Sequence, residues 1–408
     1  MPKIYSKPEL LRALLEQLPV CRTPSPEIPV PAGGARILPW RPSEADYGRT
    51  VDNVLASFRP RVSSAVREQA EAPALLNELL RHTPERRVVL VNNSGRFRSL
   101  ALCALLLESS RQEGYKDPAE GERRADLVLA LAARLDPEWY GPRVLEDVRA
   151  RSCMLIGNAR RVASDLWGAE EAFRTAETHL GQGTGDRLER ARLLCVKACL
   201  RRAQRRFPEA ASLFKRAAAV FLAAGEAHSA AEAIIGLAVA CQYQGEPEEA
   251  IRLLREADGL VDPRVDARLH QYVRFNRIVS LAEAGRSREA EALLARSHDF
   301  RQVSDPKRRL WLLWLKARIA LGLGQLPQAA RLLVRVRNGF VACGDGYRAA
   351  LVCLSLAEVC ARLGWTAATK RLASEVIPIF LSLGIVREAL AARIVFQQAV
   401  PAERARSS

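Results

Sequence analysis

The sequence contains no uninterrupted apolar run near the ~18 residues needed to cross a membrane, so no spanning segment is expected. Its start, MPKIYSKPELLRALLEQL, lacks a continuous apolar core and a small-residue cleavage site. No signal peptide is therefore expected, and the cytoplasm is the default compartment. Histidine is scarce: His82, His179, His228, His270 and His298 are dispersed, with no H-E-x-x-H and no adjacent nucleophile motif. The nine cysteines are scattered and odd in number, and no C-x-x-C occurs, which argues against a disulfide framework or a zinc site. Cys195 and Cys199 stand one helical turn apart, half of a metal site with no His or second Cys pair nearby. The glycine-rich GQGTGDR, residues 181–187, lacks the Lys-Ser/Thr of a phosphate loop and reads as a connector. No catalytic constellation emerges and no alternation of strands and helices builds a nucleotide-binding sheet. The chain is expected not to be an enzyme, and no cofactor or metal is expected.

Lysine is also rare: only 8 of the 62 basic residues, against a net charge of +16. Arginine dominance of this kind follows from a GC-rich genome as readily as from a nucleic-acid partner. The distribution says more than the total. Residues 301–408 hold 17 basic and 6 acidic residues, so +11 of the +16 lies at the C-terminal end.

What the sequence has in abundance is a repeated pause. The stretches SDLWGAEEAFRTA (from Ser164), RRFPEAASLFKRA (Arg205), GEPEEAIRLLREA (Gly245), GRSREAEALLARS (Gly285), GQLPQAARLLVRV (Gly324) and GWTAATKRLASEV (Gly364) begin 41, 40, 40, 39 and 40 residues apart. A period this constant marks a repeat architecture. Before each pause runs a helix with apolar residues at i, i+3, i+4 and i+7, such as ARLHQYVRFNRIVSLAEA. Gly245, Gly285, Gly324 and Gly364 supply the left-handed backbone that ends a helix. Pro208, Pro247 and Pro327 then fall in the first turn of the next, where a missing N–H costs nothing. Five residues past the turn start stands Ala169, Ala210, Ala250, Ala290 or Ala329. Four further comes Phe173, Phe214, Leu254, Leu294 or Leu333, and three beyond that Ala176, Ala217 or Ala257, with Ser297 and Val336 in later units. The second helix thus offers a small-large-small face to its neighbours.

These residues, with Gly157, Ala198, Ala238, Ala317 and Ala357 seven before the turn, resemble the tetratricopeptide repeat (TPR) superfamily, in a long-period bacterial form, over residues 142 to 400. The period of about 40 exceeds the usual 34, and Thr369 replaces the Ala in the last unit. HEAT-like repeats share the longer period, but the Gly–Ala–Phe–Ala spacing favours TPR. The resemblance implies an all-α, right-handed α-α superhelix of about seven helix pairs. Residues 47–141 read as a helical N-terminal cap with a degenerate repeat, the array as 142–400 and 401–408 as a frayed polar tail. Within the cap, Val88, Val89, Leu90 and Val91 suit a buried strand as well as a helix. Residues 19–46 form a proline-rich linker, tethering a short amphipathic helix within 1–18 with Leu10, Leu11, Leu14 and Leu18 on one stripe. That helix either docks on a partner or the protein's own groove, or folds against the body as a cap.

The resemblance further implies a concave face lined by the first helix of each pair, where such arrays bind protein or peptide partners. Counting from each turn gives Arg151, Met154, Asn158 and Arg161, then Arg192, Cys195, Cys199 and Arg202, then Glu232, Ile235 and Gln242. Tyr272, Phe275 and Asn276 follow, and then Trp311, Trp314 and Arg318. The groove runs from arginine-rich to aromatic, suiting a peptide with an acidic patch and an apolar anchor. The tryptophans fit the seams between units equally well. An adaptor or scaffold binding a partner protein is the expected function. The alternative is a regulatory protein that uses a basic C-terminal face, Lys307, Arg308, Arg309, Arg331, Arg335, Lys370 and Arg371, for nucleic acid or an acidic partner.

Overall fold

A computed structural model describes residues 63–297, 300, 305–382 and 386–407. The expected N-terminal helix (1–18) and linker (19–46) lie outside these residues, as do Cys21 and His298. Helix α1 (63–80) precedes α2 (Pro84–Asn93), and α3 (Leu100–Glu113) pairs with α4 (Pro118–Ala132). A single turn, α5 (Pro137–Tyr140), leads into α6 (Pro142–Val162) and α7 (Leu166–Gln182). The array continues as α8 (Arg187–Ala203) with α9 (Phe207–Ala223), α10 (Ala227–Gln244) with α11 (Pro247–Leu260), and α12 (Ala267–Glu283) with α13 (Ser287–Arg296). Then come α14 (Pro306–Gly322) with α15 (Leu326–Ala342), α16 (Gly346–Arg362) with α17 (Thr366–Ser382), and the closing α18 (Val386–Ser407). The result is an all-α superhelix in which α3/α4 and the six pairs from α6/α7 to α16/α17 stack in sequence. α18 runs through Ser407, past the boundary at 400 that the apolar pattern suggested.

The turns within the pairs fall where the pauses predict them. Backbone φ is positive at Gly245 (86°), Gly285 (75°), Gly324 (77°) and Gly364 (75°). The equivalent positions in the two earlier units are also left-handed, yet they hold Ser164 (φ 69°) and Arg205 (φ 61°). Residues with a Cβ adopt this region at a cost of about 1–2 kcal/mol, so both turns are held by what surrounds them.

The small-large-small face packs as its spacing demands. Ala169, Ala210, Ala250, Ala290 and Ala329 have no exposed surface, and Phe173, Phe214, Leu254 and Leu333 are buried beside them. Glycines on the first helices let the large residues in: a Cβ on Gly157 would stand 2.5 Å from the Phe173 ring, and one on Gly236 2.4 Å from Phe214. Thr369, at the position of the missing alanine, is fully buried and donates its hydroxyl to the Trp365 carbonyl at 2.9 Å.

The segment 88–91 is helical. Thr83 caps α2 by accepting from the Arg86 N–H (3.4 Å), Pro84 starts it, and only Val91 of the run is buried while Val88 and Val89 face outward. Behind it Arg87 is buried, donating to the Leu80 and His82 carbonyls and to Glu120 at 2.6 Å. Glu120 also accepts from Arg124 (2.9 Å) and Arg123 (3.0 Å). Burial pushes the Glu120 carboxyl up, but the three guanidiniums outweigh it and bring it down to about 2. Tyr140 reaches back to Glu68 of α1 at 2.8 Å, closing the N-terminal end of the stack.

Candidate binding groove

The first helices α6, α8, α10, α12 and α14 carry the residues counted from the turns, and the fold sorts them into three groups. Met154 and Ile235 are buried core residues, so they contribute to the wall and not to its surface. Asn276 is buried too, and its amide donates to the Tyr272 carbonyl of its own helix (2.8 Å), so it does not present hydrogen-bonding groups to a ligand as the count suggested. Phe275 packs edge-on to Phe300, with ring centroids 6.3 Å apart.

The tryptophans form the second group. Trp311 lies 5.0 Å from Trp314 and 5.8 Å from Phe340 of α15, and Arg348 of α16 sits over its ring at 5.2 Å. Both indoles pack against the buried cluster of the C-terminal units, and Trp314 Nε1 has no acceptor among the described residues. They fill the seam between α14, α15 and α16. Of the aromatics placed at the far end of the groove, Tyr272 is the exposed one.

The third group is the arginines, and these cluster. Arg151 of α6 and Arg192 of α8 converge on Glu189, whose side chain is almost wholly buried, Arg151 at 2.5 Å. One carboxylate oxygen takes both guanidiniums while the other has no hydrogen-bond partner among the described residues. Each arginine remains exposed. Among the described residues Arg161 pairs with a neutral group alone, donating to Asn158 Oδ1 at 2.8 and 3.1 Å. Arg202, half-buried, has no side-chain partner among the described residues. Gln242 turns instead to Ser280 (2.7 Å), and Arg318 to Glu283 at 3.0 Å. Glu232 of α10 acts electrostatically on Arg111, at the end of α3, and on Cys195.

Cys195 is poorly suited to act as a reactive thiol. Burial pushes Cys195 up to about 12, with Cys199 and Glu232 adding to the effect. Among the described residues no group of three or more His, Cys, Asp or Glu comes together to hold a metal. The segment 183–186 joins α7 to α8, pinned where Thr184 Oγ1 donates to Asp147 at 2.5 Å.

Sequence reasoning missed one long-range contact across the array. Arg205, at the left-handed turn after α8, donates to both oxygens of Glu388 (3.0 and 3.1 Å) and to the Tyr347 hydroxyl (2.7 Å). The superhelix thus brings the turn of one unit against the starts of α16 and α18, four units further on. The one local signal was an arginine at a position that is glycine in the four later units.

The basic face divides as well. Arg308 is 4.0 Å from Asp305 and Arg371 3.9 Å from Glu375, whereas Arg309 and Arg335 line a common cavity with Lys316. Arg331 is exposed, Lys370 has an interaction partner, and the Lys307 side chain lies outside the described set.

Residues 189–257 match the tetratricopeptide repeat family model. The array is a tetratricopeptide-repeat superhelix. No curated protein matches the sequence. Among solved structures, a Rap protein complexed with competence and sporulation factor superposes with a TM-score of 0.56 at 12% identity, over 75% of this chain and 87% of that one. Aspartyl phosphate phosphatase F from Bacillus subtilis matches at 14% identity over 91% and 96% of the two chains, with a TM-score of 0.46. The apo quorum sensor NprR from B. thuringiensis matches at 14% over 82% and 99%, also with a TM-score of 0.46. At these identities the likeness is one of fold, and the Rap complex carries it. Among the described residues of this TPR array, no helix is long and apolar enough to cross a membrane.

Proposed function

We propose that this TPR protein is a non-catalytic adaptor that binds an acidic, extended or helical segment of a partner protein along its first helices. The observation that carries the reading is the arginine group on α6 and α8. Arg151 and Arg192 are oriented by the buried Glu189, and Arg161 and Arg202 have no carboxylate partner among the described residues. Guanidiniums held this way bind carboxylates bidentately. The Rap structure that shares the fold is named as a complex with competence and sporulation factor, which is in keeping with ligand recognition by such an array. The ligand's acidic residues would meet α6 and α8, and its apolar residue would lie toward Tyr272.

The test is affinity capture from host lysate, with and without nuclease, using the wild-type chain and an Arg192→Glu/Arg202→Glu variant. A partner protein that survives nuclease and is lost by the variant supports the adaptor. A partner kept by the variant overturns the groove assignment. Loss of every partner on nuclease treatment, with RNA or DNA in the untreated eluate, transfers the function to the basic C-terminal face.

A further inference from the structure

The arginines of α6 and α8 stand in register. Arg151 and Arg192 are 41 positions apart, one repeat, and so are Arg161 and Arg202, ten residues further along the same two helices. α6 and α8 pack side by side, and the shared Glu189 shows that the first pair meets across them. The repeat brings Arg161 and Arg202 to equivalent places at the other end. Ten residues of helix rise about 15 Å, so the face carries two arginine pairs separated by that span.

Between the pairs lie Asn158, Cys195 and Cys199, all half-buried, all short and none aromatic. Asn158 Oδ1 accepts from Arg161 twice. A guanidinium has donors alone, so the oxygen must face it and the Asn158 N–H2 group turns away. That donor has no acceptor among the described residues. Two carboxylates act electrostatically on the same face, Asp147 on Arg151 and Glu232 on Cys195, and they oppose negative charge placed away from the arginines.

Resting on the adaptor reading above, we propose that this face takes an extended segment of the partner with two acidic residues four apart. One carboxylate lies at Arg151 and Arg192, the other at Arg161 and Arg202. Residues four apart in an extended chain share a side and are about 13 Å apart, close to the span of the pairs, whereas residues two apart reach only about 7 Å. The Asn158 amide donates to a main-chain carbonyl between them, an acceptor that a helical segment keeps for its own backbone. A nucleic acid strand would find no aromatic ring here on which to stack its bases.

The probe is a fluorescein-labelled nonapeptide, rich in Thr and Val to favour extended backbone, with glutamates at its third and seventh positions. Comparison peptides carry glutamates at the third and fifth positions, or glutamine in place of either glutamate of the probe. Anisotropy titration uses the full chain. The probe is expected to bind about tenfold more tightly than the close-spaced peptide, and each glutamine to cost about tenfold. The cost at one glutamate should fall within about twofold in Arg161→Gln/Arg202→Gln, which leaves no buried charge unpaired, and the cost at the other should shrink in Arg192→Gln. Asn158→Asp, which gives Arg161 a carboxylate and removes the amide donor, should weaken the probe by about tenfold. Equal binding of the close-spaced peptide, or coupling of both glutamates to the same arginines, overturns the proposal and leaves the adaptor reading standing. No binding by about 1 mM, or binding indifferent to every variant, also overturns it, and the lysate capture then decides the adaptor reading separately. Displacement of the probe by a short single-stranded oligonucleotide overturns it by assigning the face to nucleic acid.

Discussion

The same chemical change at two equivalent turns should have opposite effects. Ser164 and Arg205 both occupy a left-handed position that glycine holds in the four later units. The strain costs about 1–2 kcal/mol, against the roughly 0.5–1 kcal/mol of extra unfolded-state entropy that glycine brings. Ser164→Gly should therefore stabilise by about 0.5–1 kcal/mol, because the exposed serine hydroxyl has no partner among the described residues. Arg205→Gly gains the same relief but loses the contacts to Glu388 and Tyr347. The pair is partly shielded, with side-chain exposures of 35% for Arg205 and 19% for Glu388, so it is worth more than a surface ion pair. Its charge-assisted hydrogen bonds and the carboxylate left behind amount to about 2 kcal/mol. The net expectation is a loss of about 1 kcal/mol. For a cooperative unit of this size, 1 kcal/mol moves Tm by roughly 1–1.5 °C. Melting followed by circular dichroism should show Ser164→Gly rising and Arg205→Gly falling, and hydrogen exchange should show the loss at both ends of the contact. If both variants rise equally, the contact across the superhelix contributes nothing and the reasoning fails.

Three further outcomes follow from the packing and charge described above. Gly236→Ala should cost about 1–3 kcal/mol through collision with the Phe214 ring, and adding Phe214→Leu should recover part of it. Urea unfolding of the two single variants and the double variant measures the coupling. Glu120→Gln should destabilise by about 2 kcal/mol near pH 7, where its carboxylate holds Arg87, Arg123 and Arg124. Because the folded Glu120 sits below its ordinary value, its contribution is complete above the normal carboxylate range and fades as pH falls toward about 2, so the Tm gap from wild type should narrow through that interval. Glu189→Gln should weaken acidic-peptide binding by about threefold to tenfold and destabilise by about 2 kcal/mol, a few degrees of Tm that leave the chain folded at the assay temperature, since it releases Arg151 and Arg192 from their fixed orientation. Anisotropy and melting together separate that outcome from simple unfolding.

The repeat was legible because its period and its glycine turns are local properties. Ala210 and Phe214 four residues apart mark a helix face in any context, and Gly245 marks the end of one. The site was legible only in part, for two reasons. Counting from a turn places a residue on a helix but leaves its side chain uncertain by a fraction of a turn, which is enough to move Asn276 and Trp311 from a surface into a wall. The Arg205–Glu388 contact spans 183 residues and depends on superhelical pitch, which no local pattern encodes.

The central claim is that a partner lies along the first helices, and hydrogen exchange of the chain bound to its captured partner tests it most directly. The account predicts protection concentrated on the exposed faces of α6 and α8 and reaching Tyr272 on α12, and lost with Arg192→Glu/Arg202→Glu. Protection confined to second helices, with α6 and α8 exchanging as in the free protein, would contradict it.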